Sequence, residues 1–404
     1  MDGVRGLLAD RRFRRLMIAR TVSVFGSAMA PIALAFAVLG LVSGAQATQL
    51  GTVLFARMLA QVGFLLYGGV LADRFSRQRM MVVADLSAAA TQAGIGVLLL
   101  SGRGSIAALI VLAFLNGLAS AVFIPASDGI PPLLVPAARV KDARALVQTG
   151  ENAARIIGAA GAGAVVAVAG PGWALLLDAA TFACSALLLG GMGLPPVERV
   201  RSHSLLAELR GGLREVTSRE WMWVSLVQWS VFNFCISGGV FVLGPVLAAQ
   251  RLGGALAWSA VIGVHSVGFL VGSLLVIRVN PRRPMRTATV WTLGLVTPVL
   301  TLALGAPLWL FALAMFLTGI CMTVGEVLTN AVTMTQIPEE ALSRAGAYQS
   351  LASMVLVPSG FAAVGPISDL FGVRRTLLGY AVLMLVAIAG ALSSRSVRTV
   401  SLTG

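Results

Sequence analysis

Charged side chains are scarce in this sequence. Asp, Glu, Lys and Arg make up 11% of its 404 residues, whereas soluble domains carry roughly 25%. Hydrophobic residues make up 57%, and the mean hydropathy is +0.90. A chain of this length cannot bury so much apolar surface in a core that faces water. The composition therefore excludes an ordinary soluble protein and predicts a chain that lies mostly in lipid.

Cysteine and histidine are also scarce, with three and two residues. Cys184, Cys235 and Cys321 lie in apolar runs without metal-ligand spacing, which predicts free thiols and neither disulfides nor a metal site. The sequence also lacks the Gly-x-x-x-x-Gly-Lys-Ser/Thr pattern of a phosphate-binding loop, and it has no nucleophile elbow. We therefore expect no direct drive by ATP, no enzymatic activity, no catalytic residues and no cofactor.

Twelve apolar runs are long enough to cross a membrane, which takes about 20 residues in a helix. The predicted spans are 16–41, 50–72, 80–101, 105–127, 143–169, 172–192, 221–249, 256–279, 287–304, 307–332, 345–368 and 376–393. The first run is too long for a cleaved signal peptide and is expected to remain as an anchor. The predicted fold class is thus an all-α membrane protein with twelve transmembrane helices.

The chain is basic, with 30 Lys and Arg against 16 Asp and Glu. Most of these cations fall in the two tails and in every second loop, starting with the loop between spans 2 and 3. The positive-inside rule then places both termini in the cytoplasm. Because the cations are scattered over hairpins, they do not indicate nucleic-acid binding. Only one cation is Lys, and Ala and Gly are abundant, which indicates a GC-rich bacterium and hence its cytoplasmic membrane.

The two halves of the sequence resemble each other. The string Val-Gly-Phe-Leu at 62–65 recurs at 267–270, in the spans that would be the second and the eighth. Phe-Leu-Asn-Gly at 114–117 recurs as Phe-Leu-Thr-Gly at 316–319, in the fourth and tenth. The offset is nearly constant, and this predicts two homologous, pseudo-symmetric six-helix bundles.

The predicted domains are an N-terminal bundle at 1–192, a linker at 193–220 and a C-terminal bundle at 221–404. In the linker, leucines alternate with Glu and Arg at helical spacing, which predicts an amphipathic helix on the cytoplasmic surface. Its expected role is to tether the two bundles. Binding of a partner or sensing of lipid is the alternative.

The turn after the second span carries the most specific motif. Residues 69–79 read Gly-Val-Leu-Ala-Asp-Arg-Phe-Ser-Arg-Gln-Arg. This stretch closely resembles motif A of the major facilitator superfamily, Gly-x-Leu-Ala-Asp-Arg-x-Gly-Arg-Arg, with Ser76 and Gln78 as departures. The resemblance implies a secondary transporter with a gate cluster that holds its cytoplasmic side shut. The gate residues would be Gly69, Asp73, Arg74, Arg77 and Asp128.

The whole chain resembles the bacterial exporter branch of this superfamily, which includes siderophore exporters and macrolide efflux proteins. The resemblance rests on three features. They are the string Phe-Arg-Arg-Leu at residues 13–16, motif A followed by Ala-Asp-Leu at residues 84–86, and the string Pro-Pro-Leu-Leu-Val-Pro at residues 131–136. It implies alternating access, with the substrate bound between the halves near the midplane. Ala159 stands where the antiporter motif has proline, which weakens the resemblance to that motif. Ala113 stands where a further motif has arginine, and Ser27 stands roughly where many relatives have an acid in the first span. Proton coupling is therefore assigned to other residues.

Ionisable side chains inside spans are functional candidates because each costs about 2.5–3.5 kcal/mol to insert. The proton-coupling candidates are Glu326, Asp178 and His265, and the last of these is a residue type that titrates near neutral pH. Glu151 and Arg155 lie four residues apart with the acid first, which predicts a structural ion pair within one helix.

The other candidates for the cavity lining are mostly uncharged. The substrate-binding candidates are Arg57, Gln61, Ser27, Asn116, Phe123, Gln228, Phe232 and Met322. In the tenth span Thr318, Met322, Glu326 and Asn330 recur every four residues and so share one face. A large cavity with few charges suits an amphipathic organic molecule.

The sequence therefore predicts a secondary transporter that exports a hydrophobic or amphipathic small molecule by proton antiport. Its expected partners are the substrate, protons and the lipid bilayer, and the protein is expected to be a monomer that binds no nucleic acid. The alternatives are a lipid or lysolipid flippase, an importer of the same fold, and a non-transporting membrane sensor.

Overall fold

The computed structural model describes residues 2–193, 213–338, 342, 346, 348, 349 and 354–401. Over these residues all regular structure is helical, which confirms the predicted fold class. The chain divides into two compact units, Met1–Ser202 and His203–Gly404, so the boundary falls within the predicted linker. Residues 194–212, which make up most of that linker, lie outside the described residues, and the amphipathic helix stays a prediction.

Six long helices form the N-terminal unit, and each corresponds to one predicted span. They are α1 (Arg11–Leu41), α2 (Gln46–Arg74), α3 (Arg77–Leu100), α4 (Ile106–Asp128), α5 (Val140–Ala169) and α6 (Pro171–Gly190). A short helix, Asp2–Ala9, precedes them, and the Asp10 carboxylate caps α1 by accepting two backbone N–H bonds. Gly170 alone joins α5 to α6, at a φ of 89° that favours glycine.

The C-terminal unit is built from helices of more varied length. They are α7 (Glu220–Gly239), α8 (Gly254–Val276), α9 (Pro284–Trp291), α10 (Thr297–Ala303), α11 (Leu308–Gln336), α12 (Leu356–Phe371) and α13 (Val373–Ser393). Short helices at Leu243–Leu247 and Arg395–Thr399 complete the described part of this unit.

Nine helical stretches in the described part are long and apolar enough to cross a membrane. The three other predicted spans have structural counterparts. The second corresponds to α2, the ninth is divided between α9 and α10, and the eleventh is described from residue 354 onward as α12. The length and composition of the helices thus agree with twelve spans.

The ninth span is not one continuous helix. Between α9 and α10 the chain forms a 3₁₀ turn, Thr292–Val296, because Pro298 cannot donate to the carbonyl of Gly294 four residues earlier. The Gly294 oxygen instead accepts the backbone N–H of Thr297, and the hydroxyl groups of Thr297 and of Thr318, on α11, also bond it at 2.7 and 3.1 Å. The shorter backbone bond keeps this carbonyl paired, as apolar surroundings require, and the Thr318 hydroxyl adds a contact from a neighbouring helix.

Both units repeat the same close helix contacts. A methyl group added at Gly117 would lie 2.1 Å from the carbonyl oxygen of Arg57, and one at Gly319 would lie 2.4 Å from that of His265. Gly158 and Gly360 lie equally close to carbonyl oxygens on α1 and α7, respectively. Small residues let membrane helices approach this closely. The sequence repeat therefore corresponds to a repeat of internal packing.

Candidate functional site

The C-terminal unit contains a cleft of about 490 Å³ between α7 and α11. This volume lies in the range of roughly 300–1,000 Å³ that is typical of small-molecule sites. Most of its surface is apolar or uncharged, and Leu342, Gly346, Gln349 and Met354 add to one side. The side chains that the argument uses are Trp229, Asn233, Met322, Glu326, Asn330 and Met334.

Glu326 is the one acid among the described residues that line the cleft. Its carboxylate is exposed, and it makes no hydrogen bond or ion pair with any residue that the structure describes. Met322 and Asn330, which precede and follow it by one turn, also line the cleft. Thr318 does not, because it is buried against the ninth span, where its hydroxyl bonds the Gly294 carbonyl. Three members of the predicted stripe therefore share the cleft.

The face that α7 presents to the cleft differs from the sequence prediction. Gln228 and Phe232 are predicted to bind substrate, but they are 4% and 1% exposed. The Gln228 amide donates to the Thr292 hydroxyl at 2.8 Å, so it ties α7 to the 3₁₀ turn. The cleft-facing residues are their neighbours Trp229 and Asn233. This is a correction: the helix is rotated by about one residue, 100°, from the predicted orientation.

A buried polar network lies in the N-terminal unit around Asp178. This α6 residue is fully buried, and its Oδ2 accepts the Gln92 amide at 2.6 Å from α3. Thr181, one turn further on, donates to the Asp178 carbonyl at 2.7 Å. On the opposite side α1 approaches through Gly26, where an added methyl would lie 2.6 Å from Oδ1. The proton-coupling candidate Asp178 is thus held by three helices.

Arg57 and Asn116 continue this network toward α2 and α4. The Arg57 Nε donates to the Asn116 Oδ1 at 3.2 Å, and the Asn116 amide donates to the Thr91 hydroxyl at 3.2 Å. The charge of Arg57 also acts on Asp178. A cavity of about 10 Å³ beside Arg57, Asn116 and Gln92 has the size of a single water molecule. These two predicted substrate contacts are therefore joined to each other.

The remaining N-terminal candidates are less closely tied. Ser27 on α1 and Gln61 on α2 are half-buried. The guanidinium of Arg20 lies over the ring of Phe123 on α4. Its central carbon is 5.1 Å from the ring centroid, which is within cation–π distance.

His265 cross-links two helices of the C-terminal unit. Its Nδ1 lies 2.9 Å from the Met315 carbonyl oxygen on α11, which can only accept, so the ring donates from this nitrogen. The Phe269 ring packs against the imidazole at a centroid distance of 4.7 Å. The contact of Gly319 with the His265 carbonyl resembles that of Gly117 with the Arg57 carbonyl, although the sequence repeat aligns Arg57 with Ile262. The described contacts of His265 are those of a residue that joins helices.

Glu151 pairs with a different cation from the one predicted. Its Oε1 lies 2.7 Å from the Nε of Arg20, on α1, and both side chains are largely buried. Arg155, the predicted partner, is exposed and makes no ion pair with a described residue. This is a correction: the pair links α1 to α5 and is not a contact within one helix. Arg20 can reach because α1 and α5 pack together, which spacing within α5 does not reveal.

The motif A hairpin joins the ends of three helices. α2 ends at Arg74 and α3 begins at Arg77. The Arg77 guanidinium donates to the Gly129 carbonyl at 2.7 Å, just after α4, and the Gln78 amide donates to the Leu189 carbonyl at 2.8 Å, near the end of α6. Helix ends leave carbonyls available to side-chain donors, and the Leu189 carbonyl accepts the Gln78 amide in addition to the Met192 N–H. The described donors thus hold α3 to α4 and α6.

The other gate candidates are only partly described. Gly69, Asp73 and Arg74 lie in the last turns of α2, and Asp128 ends α4. Their side chains lie outside the described part of the structure. The predicted cluster of Asp73, Arg77 and Asp128 therefore stays a prediction.

Comparison with known proteins decides the family. The family model described as Major Facilitator Superfamily matches residues 16–362. The chain belongs to the major facilitator superfamily. It is therefore a multi-pass membrane protein that transports small molecules, and it is not an enzyme, as the sequence predicted.

Two curated relatives and one solved structure illustrate the similarity. The chain is 26% identical to "Multidrug efflux pump Tap" of Mycobacterium tuberculosis (strain ATCC 25618 / H37Rv) over 83% of this chain and 82% of the relative. It is 26% identical to "Enterobactin exporter EntS" of Citrobacter koseri (strain ATCC BAA-895 / CDC 4225-83 / SGSC4696) over 82% and 79%. The structure of a D-xylose-proton symporter superposes with a TM-score of 0.75 at 12% identity and covers 97% of this chain and 98% of that one. This last likeness concerns the fold alone.

Several functional-site residues were missed by the sequence analysis. Trp229 and Asn233 are four residues apart on α7, a spacing that could have placed them on one face. Gln92 and Thr91 are polar residues inside the third span. Because unpaired amides and hydroxyls are costly in lipid, each can be expected to form a hydrogen bond with another side chain or with the backbone. Which partner they bind could not be read from the sequence, because it lies on another helix.

Proposed function

We propose that this superfamily member exports a hydrophobic or amphipathic small molecule in exchange for protons. The observation that carries the proposal is the cleft of the C-terminal unit. Its described lining is apolar and aromatic and contains one carboxylate, that of Glu326, which pairs with no described residue. Trp229, Met322 and Met334 offer adaptable apolar contacts, since methionine and aromatic rings suit varied ligands. The names of the two curated relatives, an efflux pump and an exporter, support export over import.

Glu326 is proposed as the principal proton-linked acid. A carboxylate without a protein partner is free to alternate between binding a proton and remaining charged toward the cleft. Asn330 and Met322, above and below it on α11, would position the substrate against the same group. Proton binding and substrate binding then compete at one place, which is the requirement for exchange. Asp178 and His265 are the second choices because their described contacts already join helices.

The driving force is sufficient for uphill export. A pH difference of two units across the membrane supplies about 2.7 kcal/mol per proton. One proton exchanged for one substrate molecule can therefore support a gradient of about 100-fold.

The other proposals concern placement in the cell and the gate. We infer a bacterial cytoplasmic membrane with both termini inside, because the cations collect in alternate loops. The proposed domains are the bundles 1–192 and 221–404, joined by the surface linker 193–220, in a monomeric protein. The bonds from Arg77 and Gln78 to the ends of α4 and α6 support a gate at this end of the N-terminal unit.

The test has two stages. Expression in an efflux-deficient bacterial host should protect against at least one amphipathic compound in a growth-inhibition panel. That compound is then loaded with the full-length protein into liposomes under an imposed pH difference of two units.

Glu326→Gln keeps the size of the side chain but cannot cycle a proton. It should abolish uphill transport while leaving exchange down the substrate gradient near wild type. Glu215→Gln, which removes a half-buried ion pair with Arg219 outside the cleft lining, is the matched control and should transport normally.

The outcomes separate the parts of the proposal. Protection against no compound would refute export and favour a sensor. Accumulation driven equally well by Glu326→Gln would remove this residue as the coupling acid, and Asp178 would be tested next. Loss of downhill exchange together with uphill transport would indicate a substrate contact that is not specific to coupling.

A further inference from the structure

A cluster of arginines lies at one end of the C-terminal unit, away from the cleft. It surrounds a cavity of about 440 Å³ between the start of α9 and the short helix Arg395–Thr399, which are more than a hundred residues apart in sequence. The cavity lining contains four guanidinium groups and, among the described residues, no carboxylate. The cluster consists of Arg283, Arg286, Arg395 and Arg398.

These four cations have almost no partners among the described residues. The guanidinium groups of Arg283, Arg286 and Arg395 make no hydrogen bond or ion pair with any of them, and that of Arg398 donates only one bond, to the Ser393 carbonyl at 3.3 Å. All four are exposed. Like charges around one cavity repel each other, so this arrangement is favourable only when an anion enters.

The cluster is held in place and is not a loose tail. Val397, in the middle of the short helix, is fully buried against Met285 and Trp221. The Ser394 hydroxyl donates to Glu220 at 2.8 Å and also accepts the Val397 N–H. Glu220, the nearby acid, is therefore hydrogen-bonded to Ser394. Arg395 and Arg398, on either side of Val397, project from a helix that is packed against the rest of the unit.

The position of the cavity indicates the kind of anion. Arg395 follows the end of the apolar helix α13, and Arg286 lies in the first turn of α9, so the cluster lies where two membrane helices meet water. Val290 and Leu392 form the apolar part of the lining, and Val290 is 42% exposed. A ligand that fits has an anionic head for the arginines and a hydrocarbon part for these two side chains.

We propose that this cavity binds the headgroup of an anionic phospholipid, with phosphatidylglycerol as the test case. The planar guanidinium groups would hold the phosphate oxygens through paired N–H bonds, a geometry that arginine favours. The acyl chains would lie along Val290 and Leu392. Basic pockets at the ends of membrane helices bind such headgroups in general. A free phosphate ion would satisfy the arginines but leave the apolar lining uncovered.

The experiment uses the full-length protein purified in a nonionic detergent. Lipid binding is measured by native mass spectrometry during titration with dioleoyl phosphatidylglycerol, and separately with dioleoyl phosphatidylcholine. The test variant is Arg286→Gln/Arg395→Gln, which takes one cation from each segment. The control is Arg278→Gln/Arg282→Gln, which removes two exposed cations just before α9 that do not line the cavity. The two variants therefore differ in position but not in charge.

The wild type and the control should bind phosphatidylglycerol alike and bind phosphatidylcholine more weakly. The test variant should lose affinity for phosphatidylglycerol by about 30-fold, about fivefold for each arginine. If it cannot be purified, Arg395→Gln alone should show the fivefold loss. An equal loss in the control would overturn the proposal in favour of general surface charge. Equal binding of phosphatidylcholine, or displacement of the lipid by an equal concentration of inorganic phosphate, would also overturn it.

Discussion

Among the small residues of α1, we expect substitution of Gly26 to destabilise the protein most, because α6 leaves no room for a side chain there. A methyl group built on Gly26 would lie 2.1 Å from the Thr181 hydroxyl oxygen, 2.6 Å from the Asp178 Oδ1 and 3.0 Å from the Asp178 Cα. Ordinary contacts of this kind need about 3.5 Å. The change Gly26→Ala must therefore move the Thr181 side chain and also separate the backbones of the two helices.

The expected cost follows from these distances. Overpacking of a close contact costs about 1–3 kcal/mol, and disturbing the hydrogen bond from Thr181 to the Asp178 carbonyl adds about 1 kcal/mol. We therefore expect Gly26→Ala to lower the free energy of unfolding of the N-terminal unit by about 2–4 kcal/mol. For a unit of this size that corresponds to a fall of roughly 5–15 °C in the thermal midpoint.

A control on the same helix separates packing from helix propensity. Gly40 has no atom within 4 Å of an added methyl, so Gly40→Ala should be neutral or should stabilise by about 0.5–1 kcal/mol. Both variants are compared by the fraction of protein that stays monodisperse in size-exclusion chromatography after heating in detergent. The added change Thr181→Ala removes the atom at 2.1 Å and should restore part of the midpoint that Gly26→Ala loses. Equal midpoints for Gly26→Ala and Gly40→Ala would refute the close packing of α1 on α6.

The remaining predictions concern the ion pair and the topology. Arg20→Gln and Glu151→Gln should each lower the thermal midpoint, by an amount equivalent to about 1.5–3 kcal/mol for a hydrogen bond between charged groups, whereas Arg155→Gln should leave it unchanged; the opposite order would restore the pair within α5. In a background without the native cysteines, Gly44→Cys should react with an impermeant maleimide added to intact cells and Ser204→Cys should not. The reverse labelling would invert the proposed orientation.

The positions of the helices in the chain could be predicted from the sequence. Lipid offers no hydrogen bonds, so each crossing must be a helix of about 20 apolar residues, and that requirement is visible in one dimension. The ends of α1 to α6 accordingly lie close to the predicted bounds. The break in the ninth span has visible causes in Gly294 and Pro298. The Thr318 hydroxyl of another helix, which also bonds the Gly294 carbonyl, could not be assigned to it from the sequence.

The partners of the polar side chains were decided only by the tertiary structure. Glu151 binds Arg20 and not Arg155, and α7 turns Trp229 and Asn233, not Gln228 and Phe232, toward the cleft. In a soluble protein, a polar face would reveal how such a helix is oriented. Here the lipid and the protein interior are equally apolar. The sequence of a span therefore gives little indication of which face contacts lipid and which face packs against other helices. The choice is made by glycine contacts and by hydrogen bonds between helices, which exist only after the helices have packed.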